Sequence, residues 1–172
     1  MTQRMSHADA SGVDLVLEQL ERGPELVISL VREVPPPLLK RRPGPAKWST
    51  HEHACHLPAV QPLMMRRLEY VLWTPHPVIQ PYDPAHDDPA DALLAVDLDE
   101  AMDRFARERR AMVARLRSLS TSQWGVTAEH REYSHYSVFI MFRHLALHDL
   151  YHAYRIEERL LYKPWAEDLK AV

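Results

Sequence analysis

Apolar residues recur at three- and four-residue steps along four long stretches of this 172-residue chain, which limits it to helices that each bury one face. Prolines punctuate the stretches. With 14 Pro against only 4 Gly, the connections are stiff ones rather than the glycine turns of β-hairpins. The spacing predicts an all-α protein.

The first stretch runs from Val13 to Val34, with Val16, Leu17, Leu20, Val27, Leu30 and Val31 on the helical period. Residues 1–11, polar and small, are expected to fray. Gly23-Pro24 interrupts the stretch, giving either a kink or a second helix that starts at Pro24. Pro35-Pro36-Pro37 ends it, and Leu38 to Lys47 reads as a solvated basic connection. The second stretch opens with Ser49 or Thr50 as N-cap and Glu52 near the third helical position, resembling a capping box, and continues to about Trp73. His53, His56, Val60, Leu63, Met64, Arg67 and Val71 share one face of it, so His56 should look inward. Pro58 and Pro62 fall inside, and Pro58 should kink the helix. Thr74 to Asp91 is a long Pro-rich loop expected to rim a site.

The third stretch starts at Asp97 or Asp99 and reaches about Leu119. Its core line is Leu98, Met102, Phe105, Met112, Leu116 and Leu119, and Arg109 stands on the same line. Arg109 either snorkels to the surface along its stem or projects into a polar cavity between helices. After a connection holding Trp124 and His130, a fourth helix spans about His135 to Tyr162, with Pro164 as its stop. The sum is a four-helix bundle with a long Pro-rich loop between helices two and three, in a single domain over residues 1–172.

A formal net charge of -3 gives no global pull toward nucleic acid or an anionic membrane, and neither is expected as a partner. Cys55 is the only cysteine, which excludes an intrachain disulfide and a thiolate-rich zinc finger and agrees with a reducing cytoplasm. No apolar leader opens the sequence and no run approaches the roughly 18 apolar residues of a membrane span, so a cytoplasmic protein is expected.

The chain carries 11 His. His144, His148 and His152 recur every fourth residue, and each such step turns a helical side chain by only about 40°, so the rings form one stripe. Bundles build sites where facing helices point side chains inward, which makes His56 of helix two and the pair His148 and His152 of helix four candidate metal ligands. Three neutral nitrogens from two helices leave a coordination position open, as in catalytic rather than structural sites. The donor set suits a divalent ion such as zinc, nickel, cobalt or iron. HDLYH has the spacing of the H-E-x-x-H proteases, but Asp149 stands where the general-base Glu is required. Asp149 is expected to turn off the stripe and to back a ligand histidine. His144 and His53 read as packed histidines, with extra ligation or outer support as the alternative, and Cys55 as an inert buried thiol.

Arg42-Pro43, Lys47-Trp48-Ser49, His56-Leu57, the Val78-Ile79-Gln80-Pro81-Tyr82-Asp83 loop, the Trp124 and His130 connection, and His148-Asp149-x-x-His152 occur in an order that resembles the DinB/YfiT-like superfamily of four-helix-bundle metalloproteins. The resemblance spans roughly Leu20 to Leu161. It implies a divalent metal on His56, His148 and His152, a homodimer, and a metal-dependent enzyme acting on a small-molecule substrate. Activities in such a family include transfer or isomerisation with a low-molecular-weight thiol, bacillithiol or mycothiol. A metal-dependent hydrolase and a non-catalytic metal-binding stress-response protein are the alternatives. Two positions depart from the pattern: Arg155 stands where a Gln often follows the histidine pair, and Ser134 where a Gly often follows the connection histidine. Arg155 and Arg109 are the candidate contacts to a carboxylate of substrate or cofactor.

Overall fold

The computed structural model describes residues 10–45, 47–81, 91–163 and 165. Four long helices carry it: α1 (Ala10–Glu33), α2 (Thr50–Trp73), α3 (Leu98–Arg117) and α4 (Val138–Leu160). Side-chain caps set where three of them begin. Ser49 accepts from the Glu52 backbone N–H while the Glu52 carboxylate takes the Ser49 N–H, the expected capping box. Asp97 accepts from the Glu100 N–H, and Ser137 accepts from the Ile140 N–H, so α4 starts three residues later than periodicity suggests.

At Gly23-Pro24 no second helix starts, and α1 runs through as one helix with Pro24 inside it. Pro24 has no N–H for the Leu20 carbonyl, and that carbonyl instead accepts from Arg109 Nη1 of α3 at 3.1 Å. Helix α2 likewise continues through Pro58 and Pro62.

Helices α1 and α2 each pack on both α3 and α4 and only slightly on one another, so they lie on a diagonal of the bundle. Consecutive helices are therefore not neighbours at the first connection, and α2 meets α4 along its length. Contacts between His53 and His152 and between His56 and His148 run up one helix and down the other, so the pair is antiparallel.

Two apolar clusters fill the interior, one around Leu20, Leu68, Leu116 and Phe142, the other around Val27, Leu57, Phe105 and Ile156. Between them lies a polar layer to which every helix contributes: Gly23, Gln61, Arg109 and Asp149.

One strand pairing adds to the all-α expectation. Val78–Ile79 (β1) pairs in parallel with Glu129–His130 (β2), tying the chain after α2 to the chain before α4. The basic connection is also more than solvated: Arg42 pairs with the buried carboxylate of Glu52 and with Asp91 at 2.6 Å. The frayed N-terminus, the Pro-rich loop over 82–90 and the Pro164 stop fall on positions that lie partly or wholly outside the described residues. Among the described residues no helix is long and apolar enough to cross a membrane.

Candidate metal centre

Capping by Ser49 fixes the first turns of α2, and His53 and His56 follow three residues apart on its inner face. His148 and His152 stand one turn apart on α4. The diagonal topology sets these faces against each other, and three ring nitrogens converge. His148 Nε2 lies 3.2 Å from His56 Nε2 and 3.1 Å from His152 Nε2. His56, His148 and His152 thus form a group able to hold a metal ion, each offering one ligand atom.

The chemistry of the donor set fits such an ion. A neutral imidazole nitrogen has one in-plane position, either a lone pair or an N–H, so His148 Nε2 can satisfy only one of its two neighbours by hydrogen bonding. A shared cation satisfies all three lone pairs. The two separations are also close to the roughly 3.3 Å expected between ligands of a tetrahedral ion bound at about 2.0–2.1 Å.

Burial favours the neutral form of His148 and His152. It holds the His148 imidazole down to about 3, helped by the neighbouring His56, and pushes His152 further below its ordinary range. His53 is likewise pushed down to about 3 by burial, with Arg159 adding to the effect. The Trp48 indole covers the group, its ring centre 5.0 Å from that of His56 and stacked at 6.0 Å on His152.

A cavity of about 260 Å³ runs from His56 and His148 along the α2/α4 groove. Val60, Leu63, Met64, Met141 and Leu145 make its apolar floor, and β2 with the residues after it provides a polar wall of His130, Glu132, Tyr133 and Tyr136. Neutral His130 is favoured by burial, and its Nδ1 accepts the Glu132 N–H at 3.1 Å, which leaves Nε2–H as its donor.

The two arginines expected to meet a substrate carboxylate are placed otherwise. Arg109 is 1% exposed and bonds Asp149 through both terminal nitrogens, Gln61 Oε1 through Nε at 2.9 Å, and the Leu20 carbonyl. Four of its five N–H donors are so occupied, and the side chain is buried away from the cavity lining. Arg155 is half-buried, pairs with Glu158 at 2.7 Å, rests over the Tyr151 ring and does not line this cavity. Asp149 does turn off the histidine stripe, but it backs Arg109 rather than a ligand histidine. Burial pushes its carboxyl up while the guanidinium pulls it down. His144 lines the cavity one turn before His148 and contacts Tyr133, outside the converging group. Burial pushes the Cys55 thiol up to about 12, which disfavours its nucleophilic thiolate form.

Arg67 was not among the sequence candidates for substrate. It lines the cavity, anchors on the Gln80 carbonyl at 2.7 Å, and has no carboxylate within 4.0 Å among the described residues. A signal existed, because Arg67 shares the α2 face of His56, but periodicity alone cannot tell an arginine facing a cavity from one facing solvent.

Residues 19–156 match the DinB superfamily. The chain belongs to the DinB superfamily. YfiT from Bacillus subtilis, described as "a probable metal-dependent hydrolase with an unusual four-helix bundle topology", has a similar solved structure. The likeness has a TM-score of 0.79 at 18% identity and covers 92% of this chain and 91% of that one. At that identity it shows the shared DinB fold. No curated protein matches the sequence.

Proposed function

We propose that the chain is a divalent-metal-dependent enzyme acting on a small, partly apolar molecule that carries an anionic group. The observation that carries this reading is the convergence of three Nε2 atoms at one end of a cavity of about 260 Å³. His56, His148 and His152 would hold the ion, which supplies the Lewis acidity that brings a water or thiol toward ionisation near neutral pH. The apolar floor takes the hydrocarbon part of the substrate, and the Arg67 guanidinium, which has no carboxylate within 4.0 Å among the described residues, takes its anionic part. The family resemblance favours a bacillithiol- or mycothiol-type thiol as nucleophile, hence a transferase. Water as nucleophile gives a hydrolase, the activity attributed to YfiT.

The exposed stripe Leu147, Leu150, Tyr151 and Tyr154, at i, i+3, i+4 and i+7 on α4, supports a homodimer packed across that helix.

Metal analysis of the purified protein tests the core of the reading. Wild type should carry a divalent ion that His148→Ala and His56→Ala lose, and unchanged metal content in both variants would remove the site. Conjugation of electrophiles with either thiol, and release of acid from esters and amides, each run with and without chelator, separate transferase from hydrolase. A metal-loaded protein without either activity is a binding protein.

A further inference from the structure

His53 does not belong to the converging group, yet it is as buried as the ligands and touches one of them. Its exposure is 5%, and its Nδ1 lies 2.9 Å from His152 Nδ1. A hydrogen bond between two ring nitrogens needs one N–H and one lone pair. There are two ways to arrange it, with opposite consequences.

If His152 donates, its ring proton is on Nδ1 and its Nε2 lone pair is directed at His56 and His148. If His53 donates instead, His152 must carry its proton on Nε2, and the third nitrogen of the group is blocked by hydrogen. The first arrangement places the His53 proton on its own Nε2, a buried atom beside the Trp48 indole with no hydrogen-bond partner among the described residues. Metal-bound histidines ordinarily donate their second N–H to a carboxylate, a carbonyl or water. Here an imidazole occupies that place, and α2 supplies it three residues before it supplies His56.

We infer that His53 is a positioning residue for the metal centre: it accepts the ring N–H of His152 and so holds that imidazole with its Nε2 lone pair toward the ion. The inference rests on the three-histidine reading above. One turn of α2 therefore contributes both a ligand and the support for a ligand from α4. His53 also fixes the rotation of the His152 ring, which Trp48 stacks from the other side.

Two measurements test it. Nitrogen-15 histidine spectra of chelator-treated wild type should show His152 protonated on Nδ1 and His53 on Nε2, and the reversed pair of tautomers would overturn the inference. Zinc affinity by competition with a chelator should fall about 10–100-fold in His53→Phe, which keeps an aromatic ring but has no acceptor. His53→Asn, which returns an acceptor oxygen, should recover most of that loss. Wild-type affinity in His53→Phe, or equal weakness in folded Phe and Asn variants, would also overturn it. Should wild type bind no zinc, the metal reading fails, while the tautomer spectra still decide the hydrogen bond.

Discussion

Gly23 shows how one missing side chain serves the polar layer. A Cβ at this position would sit 2.8 Å from Asp149 Oδ2 and 3.4 Å from Arg109 Nη1. Asp149 is short and held by Arg109, so it cannot swing aside. Gly23→Ala should therefore destabilise the protein in urea unfolding, despite the roughly 1 kcal/mol that alanine gains in a helix interior. A net gain would show that the carboxylate has room to move. Arg109→Met leaves the Asp149 charge buried and alone, and should cost about 3–5 kcal/mol. Arg109→Met with Asp149→Leu removes both charges and should recover most of that loss, whereas equal instability of the double variant would assign the cost to packing. Arg67→Gln, by contrast, should leave metal content and stability unchanged and raise KM at least 10-fold for anionic substrates alone.

The start of α2 is the element on which the centre depends, and its protonation links pH to stability. Burial holds the His51 imidazole below its ordinary range, with Lys40 adding to the effect, while its Nε2 lies 3.1 Å from the Leu93 carbonyl. Glu52 is raised by burial, but the hydrogen bonds from Arg42 and Ser49 outweigh this and hold it below the usual carboxylate range. For His51, the unfolded chain binds the proton first, so stability falls as pH drops below about 6.5. For Glu52, stability present above about 4.5 is lost as pH falls through the lower folded value. His51→Gln should reduce the slope of stability against pH below 6.5, by at most about 1.4 kcal/mol per pH unit. An unchanged slope would show that His51 titrates alike in both states. The same element carries two prolines within its span, and its integrity rests on packing against α3 and α4 rather than on an unbroken hydrogen-bond ladder.

At the scale of the molecule, the diagonal placement of α1 and α2 brings α2 against α4, and the β1–β2 pairing lays the connection before α4 over the groove between them. The cavity exists because of both. Leu147, Leu150, Tyr151 and Tyr154 face outward from the helix that carries the ligand pair, and the Tyr151 ring lies edge-on to His152 at 5.3 Å. Sedimentation equilibrium should show a dimer that Leu147→Glu with Leu150→Glu converts to monomer. A monomeric wild type would leave that stripe without the proposed partner.

Period, caps and chain punctuation are local properties, and the sequence by itself determined them: four amphipathic helices, the Ser49–Glu52 box, and the inward face that holds His56. The spacing of His148 and His152 was legible for the same reason, since one turn of helix fixes it. Which helices are neighbours was not local. Only the tertiary structure decided that His56 meets His148, that His144 turns to the cavity, and that His53 meets His152. It also decided the fate of the arginines. Arg109 and Arg67 each occupy a helix face that reads as inward, but one guanidinium meets Asp149, Gln61 and the carbonyl that Pro24 leaves free, while the other meets the Gln80 carbonyl and lines the cavity. A charged side chain's role depends on the partners that other helices bring to it, and periodicity along one helix holds no record of them.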